Sequence, residues 1–280
     1  MKNGQWYPGS MARAVNVLRR DLKVIDLVVE LLDARIPISS RNPTFASLLN
    51  GKKHLILLHK ADRAEEAATG RWHSYFNCRD IHSMAFSVES PGYHHQLLRY
   101  LKKQEHNLRS SRFKRPLRII FVGIPNVGKS TLINYFVRKT VARTANQPGI
   151  TRGRQWIRIT PGLELLDTPG ILWPNLNDET VKPLTAVGAL PASRVDLVDV
   201  ALWLINIYLE KDKSSFLAKR YQGLTYDTPE KLLDMIGVNQ GCLQPAGKVD
   251  MVRAAQLLLR DFQGGALGRI TLEEPLIECT

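Results

Sequence analysis

Cysteine is scarce in this sequence. The 280 residues hold three, Cys78, Cys242 and Cys279, with no spacing that would seat a metal ion. An odd count fits a reducing cytosol better than a disulfide scaffold. Long apolar runs are missing as well. No stretch reaches the roughly 20 residues of a membrane-spanning helix, so no membrane partner is expected. The N-terminus lacks a signal-peptide layout, and Trp6-Tyr7 stands too near Met1 to leave room for a transit peptide. A cytoplasmic protein of bacterial type, working as a monomer, is expected. Internal repeats and low-complexity tracts are also absent, which argues for ordinary globular domains. The length suits about two of them.

Acidic charge is short in one half only. Residues 1–177 hold 28 Lys+Arg against 12 Asp+Glu, a net +16. Residues 178–280 hold 11 against 14, a net −3. Basic clusters at 13–23, 99–118 and 138–158 could neutralise RNA phosphates in a salt-dependent way; each taken alone could equally be a solvated face. Residues 110–116, SSRFKRP, read as a basic linker.

What is present begins with Gly123-Ile124-Pro125-Asn126-Val127-Gly128-Lys129-Ser130, the G-x-x-x-x-G-K-S phosphate-loop pattern. Its context is right. Residues 117–122 form an apolar, β-branched run that predicts a buried strand. Residues 129–139 have helical spacing, with Leu132, Ile133 and Phe136 on one face. Backbone N–H groups of a glycine loop and a helix N-terminus together make an anion site. Asn126, Val127, Gly128, Lys129, Ser130 and Thr131 are therefore the candidate phosphate cradle. Lys129 would reach the β- and γ-phosphates, and Ser130 would ligate Mg²⁺. Residues 163–166 read as a strand ending in Asp167-Thr168-Pro169-Gly170. There Asp167 is a candidate Mg²⁺ carboxylate, and Gly170 offers its N–H to the γ-phosphate. Thr151, in the Asn146-Gln147-Pro148-Gly149-Ile150-Thr151 loop, can add a second hydroxyl to the metal.

Upstream of all this, residues 54–58 form another buried-strand run, ending in His59-Lys60-Ala61-Asp62. A carboxylate at Asp62 can accept two hydrogen bonds from guanine, a donor pair that adenine lacks. The Lys60 stem would cover the base, and His59 replaces the usual Asn; the pair could also be a plain polar strand end. Ser87-Val88 closes a third strand-like run, 81–88, and fits a loop that touches the guanine carbonyl. GTP and GDP are thus the expected ligands.

The motif order is HKAD, SV, phosphate loop, PGIT, then DTPG. It resembles the circularly permuted GTPases, and most closely the RbgA/YlqF ribosome-biogenesis family. The resemblance spans nearly the whole chain, with distinctive strings at residues 33–43 (DARIPISSRNP) and 166–174 (LDTPGILWP). It implies a GTP hydrolase acting in late assembly of the large ribosomal subunit through rRNA contact. It also implies a K⁺ ion held beside the phosphates by Asn126, although Asn is equally a common turn residue. Lys129, Thr151, Gly170 and Asn126 are then the candidate catalytic groups. The sequence departs from the family at two places. Ile171 follows Gly170, where Ras-type enzymes place a water-orienting Gln. Ser10 stands where the family carries a His in P-G-H-M, and it reads as the N-cap of a helix starting at Met11. Slow hydrolysis without the subunit is expected. Two other readings stay open: a nucleotide-dependent RNA-binding scaffold, and a GTPase acting on another RNA.

The expected fold is α/β. Residues 1–177 form a permuted P-loop domain with a mostly parallel sheet and helices on both faces. Residues 178–280 form a small all-α domain contacting RNA, with helices near 190–210, 229–236 and 248–262. Val249, Val252, Ala255, Gln256 and Leu259 are expected to form its apolar stripe. A nucleotide-driven shift at Gly170–Trp173 would be transmitted directly to that second domain.

Overall fold

The computed structural model describes residues 8–49, 51–109, 115–141, 156–166, 176, 178–223, 228–245 and 247–275. The chain divides into two units, Met1–Asn175 with Glu273–Thr280, and Leu176–Leu272.

The first unit is built on a six-stranded sheet: β1 (Leu27–Asp33), β2 (Lys53–His59), β3 (His82–Phe86), β4 (Leu117–Gly123), β5 (Trp156–Thr160) and β6 (Leu163–Leu166). Their order across the sheet is β3-β2-β1-β4-β6-β5. All neighbours are parallel except the β5/β6 pair at one edge. Every residue of β1 is buried, as a central parallel strand covered on both faces requires. One face carries α1 (Pro8–Leu22) and α2 (Pro43–Leu48), whose Leu18, Leu22 and Phe45 pack with Val28, Ile120 and Val122. On the same face α3 (Glu66–Asn77) sets Trp72 and Phe76 against Leu32, Ile56 and Leu58. On the other, α5 (Lys129–Val141) buries Leu132, Ile133 and Phe136, with Phe136 6.1 Å from the Phe121 ring. The last helix of this unit, α4 (Pro91–Arg109), meets α5 through a 3.7 Å stack of His94 on Tyr135. The expected α/β architecture, with its mostly parallel sheet, is the one found.

One local expectation is corrected here. Helix α1 begins at Pro8, so Ser10 lies inside the first turn and is not the N-cap. Proline is well placed there, because its missing N–H falls among the donors a helix start leaves unpaired.

The second unit holds α6 (Asp178–Ala186), α7 (Leu197–Glu210), α8 (Ser214–Tyr221), α9 (Pro229–Asn239) and α10 (Met251–Gly264). Among its described residues the one strand-like feature is the bridge between Leu243 and Val249. Side-chain caps set the helix starts: Asp196 accepts from Val198 and Asp199, Thr228 from Lys231, and Asp250 from Arg253. The cap at Asp196 explains why α7 starts later than residue 190. The stripe expected on α10 is rotated. Val252 is 52% exposed and Gln256 is exposed, while Ala254, Ala255, Leu258, Leu259 and Phe262 face the core. Asp261 joins that face because Tyr221 Oη donates to it and Arg220 pairs with it at 2.7 Å. By its internal contacts the second unit runs from Leu176 to Leu272, and Glu273–Thr280 belong to the first.

Candidate functional site

The phosphate loop joins the end of β4 to the start of α5. Its backbone can curl because two glycines take conformations that side chains resist. Gly123 has φ +153, and a Cβ there would sit 2.6 Å from the Leu31 carbonyl oxygen. Gly128 has φ +113, and a Cβ there would meet the His59 ring at 2.8 Å. Asn126, between them, is also left-handed, at φ 57. Lys129 opens α5 and is buried, its Nζ donating to the carbonyls of Gly123 (3.0 Å) and Ile124 (2.6 Å). Val127 is buried, and Ser130 and Thr131 are exposed in the first turn of the helix. A bare backbone loop, a helix N-terminus and a lysine at its mouth fit phosphate groups.

The HKAD segment, residues 59–62, arrives at the same place. His59 ends β2, is 5% exposed, and lies beneath Gly128. Burial, reinforced by the charge of Lys60, pushes the imidazole down to about 4, so it is neutral at pH 7. Neither of its ring nitrogens has a hydrogen-bond partner among the described residues. Next to it, Lys60 takes a left-handed conformation, φ 61. Its Nζ lies 3.0 Å from Asp33 Oδ2 and donates to the Asn126 carbonyl at 3.3 Å. Asp62 follows in a 3-10 turn, with Arg63 Nε 3.4 Å from its Oδ2. Ser87, buried just past β3, accepts the Glu89 N–H at 3.2 Å, and Val88 beside it is half-buried. Below these loops, Phe86 links the rings of His59 (5.6 Å) and His94 (5.4 Å), and His94 stacks on Tyr135 of α5.

The geometry adds residues to which sequence reasoning gave no role. Asp33 is fully buried at the end of β1. Arg35 grips it with its backbone N–H (3.1 Å), Nε (2.9 Å) and Nη2 (2.8 Å). Burial would raise this carboxyl, but Arg35 and Lys60 beside it hold it far below the usual carboxylate range. The signal was available, since a carboxylate ends the largely apolar run LVVELLD much as HKAD ends the next strand. The second addition is Glu273. Its carboxylate accepts the N–H groups of Ile38 (2.8 Å) and Ser39 (3.1 Å), while Trp72 Nε1 donates to its carbonyl at 3.1 Å. Burial pushes this carboxyl up, although the two N–H groups hold it down. Glu274 adds a 2.7 Å pair with Arg71.

Thr151, Asp167, Gly170 and Ile171 lie outside the described residues, as does the PGIT loop. Of the candidate Mg²⁺ ligands only Ser130 is described. No cluster of three or more His, Cys, Asp or Glu side chains that could hold a metal occurs among the described residues. None of the described helices is long and apolar enough to cross a membrane.

The chain is similar to known proteins over nearly its whole length. A family model described as 50S ribosome-binding GTPase matches residues 118–233. Ribosome biogenesis GTPase A of Bacillus pumilus is 41% identical, over 97% of this chain and 98% of that protein. The mouse mitochondrial ribosome-associated GTPase 1 is 29% identical, over 98% and 91%. Among solved structures, GNP-bound YlqF from T. maritima matches with a TM-score of 0.67 and 27% identity, covering 94% of this chain and 99% of that one. Near-full-length likeness at about 40% identity shows that this chain belongs to the ribosome biogenesis GTPase A (RbgA/YlqF) family of GTPases.

Proposed function

We propose that this chain binds GTP and GDP between the phosphate loop and the HKAD segment, and hydrolyses GTP during late assembly of the large ribosomal subunit. The observation that carries the reading is Lys60, which touches both Asp33 and the Asn126 carbonyl of the phosphate loop. Base-reading and phosphate-holding segments from distant parts of the chain are thereby fastened together. In this reading Lys129 moves from its two carbonyls to the β- and γ-phosphate oxygens. Asp62 pairs with guanine, and the Ser87-Val88 backbone faces the guanine carbonyl. Ser130, Thr151 and Asp167 hold Mg²⁺, which offsets charge on the phosphates. The Gly170 N–H meets the γ-phosphate, and Asn126 holds K⁺. Since Ile171 cannot orient water, turnover depends on the subunit. The +16 charge of residues 1–177 supports rRNA contact mainly through the nucleotide domain, with the helical domain adding less. The protein acts as a monomer.

The test is GTP turnover in K⁺ and in Na⁺, with and without purified large subunits. Stimulation by subunits in K⁺ supports the proposal. Tight GTP binding with no turnover under any condition would instead assign a nucleotide-dependent RNA-binding scaffold. Crosslinking in cells to RNA other than large-subunit rRNA would assign a different RNA target. Asp62→Asn should move preference from guanosine to xanthosine triphosphate, because an amide can pair with the xanthine carbonyl.

A further inference from the structure

A cavity of about 470 Å³ opens at the opposite end of the sheet from the phosphate loop. It is lined by Arg41, Lys52, Lys53, His54, His82 and Tyr100, among others. Lys53 and His82 are the first residues of β2 and β3, whereas His59 and Phe86 at the nucleotide site are the last. With about 3.3 Å rise per residue, the two sites lie roughly 20 Å apart along β2.

We propose that this cavity binds one nucleotide of single-stranded RNA; the inference rests on the reading above that RNA is the protein's partner. Three observations converge. First, the cations are available. Lys53 is exposed, Lys52 is half-buried, and among the described residues neither has a carboxylate within ion-pair distance. Lys52 uses one donor on the Ile25 carbonyl (3.1 Å), and Lys53 reaches Gln104 at 3.5 Å. Each ammonium keeps further donors for a phosphate. Second, the His82 and Tyr100 rings are already stacked, with centroids 4.9 Å apart at 13°. His82 is largely exposed, and partial desolvation, helped by His73 and Lys103, lowers its pKa. A base can extend that stack. Third, the lining mixes apolar side chains (Phe45, Leu49 and Ile81) with Arg41 and His54, whose charge partner lies behind the wall. Glu30 is fully buried, with His54 Nε2 at 3.0 Å and Arg41 Nε at 3.6 Å, and neither carboxylate oxygen makes a hydrogen bond. Glu30 thus offsets Arg41, leaving the two lysines as the phosphate-facing cations. Asp80 is the one acidic residue in the lining and sits exposed at the edge. Lysines at the mouth and a ring stack inside match the pairing of phosphate and base that single-stranded RNA offers. Duplex RNA, with its bases stacked inward, cannot use the rings.

The experiment measures binding of a labelled six-nucleotide single-stranded RNA to the full-length protein by fluorescence anisotropy across a salt series. The variants are Lys52→Ala/Lys53→Ala and His82→Ala, both at sites outside the nucleotide machinery. The lysine pair should lose about tenfold in affinity at low salt and flatten the salt slope by about 1.4, from roughly 0.7 per phosphate contact. His82→Ala should lose at least fivefold with the slope unchanged. GDP affinity should stay within twofold of wild type, confirming an intact fold. Unchanged RNA binding in both variants, or equal binding of a duplex, overturns the proposal. So does competition by free AMP at micromolar concentration, which would assign the cavity to a soluble nucleotide. Failure of the GTPase reading is separate, because it shows as absent GTP binding in the wild-type protein.

Discussion

His59 should make the stability of this protein fall as the solution is acidified from pH 6.5 toward pH 4. The ring is 5% exposed, and burial followed by the Lys60 charge lowers its pKa from 6.5 to about 4. In the unfolded chain the imidazole takes up a proton below about pH 6.5, while the folded protein refuses it until about pH 4. Stability linked to His59 is therefore complete above pH 6.5 and drains away as pH falls toward 4. At 1.36 kcal/mol per pKa unit, the shift is worth about 3 kcal/mol. The comparison is urea unfolding of the wild type and His59→Asn at pH 7.5, 6.0, 5.0 and 4.5, without nucleotide. The wild type should lose about 2–3 kcal/mol more than the variant across that range. His94 and the other histidines are common to both proteins and cancel in the difference. Parallel pH profiles would mean the ring accepts a proton in place, and the burial argument would fail.

Other substitutions probe the same cradle. Gly128→Ala drives a methyl into the His59 ring and holds alanine at φ +113, so GDP affinity should drop at least tenfold by equilibrium fluorescence titration. His59→Ala in that background should recover only part of the loss, because the backbone strain remains. Asp33→Ala leaves Arg35 and Lys60 without their shared carboxylate and should cost about 3–5 kcal/mol in denaturant unfolding; a loss under 1 kcal/mol refutes the role of that network. Glu273→Ala leaves the Ile38 and Ser39 N–H groups unpaired. It should cost about 1–3 kcal/mol and speed amide exchange in residues 33–41, whereas unchanged exchange would show that the tail does not hold that loop.

Much of the nucleotide domain was legible because its strands are short apolar runs closed by polar motifs. Residues 54–58, 117–122 and 163–166 each lie on an observed strand, and the run 81–88 contains β3 at 82–86. The phosphate loop was legible for the same reason, since a glycine pattern between a strand and a helix has few other uses. The Asp33–Arg35–Lys60 network was not, because it depends on which strand ends lie side by side. Glu273 was further out of reach. Its partners are more than 200 positions away, and no local pattern marks a tail that folds back. In the helical unit the error was one of phase. Alanine, leucine and valine are spread around α10, so an apolar stripe can be drawn on more than one face. Asp261 is hidden on the true face only because Tyr221 and Arg220 satisfy it.

Sheet register explains why a permuted order can still assemble one site. Asp33 pairs with His59 across β1/β2, and Leu31 pairs with Gly123 across β1/β4. The ends of three strands thus align to within two residues, on a central strand that is wholly buried. That alignment lets Lys60 span Asp33 and Asn126, although 66 positions separate it from Asn126 in sequence. A slip of one residue in either pairing would turn Asp33 or His59 to the opposite face of the sheet, away from the loop. The observed register is therefore what lets lysine and loop meet. Motif order along the chain is then free to change, because what the site needs is the order of strands across the sheet.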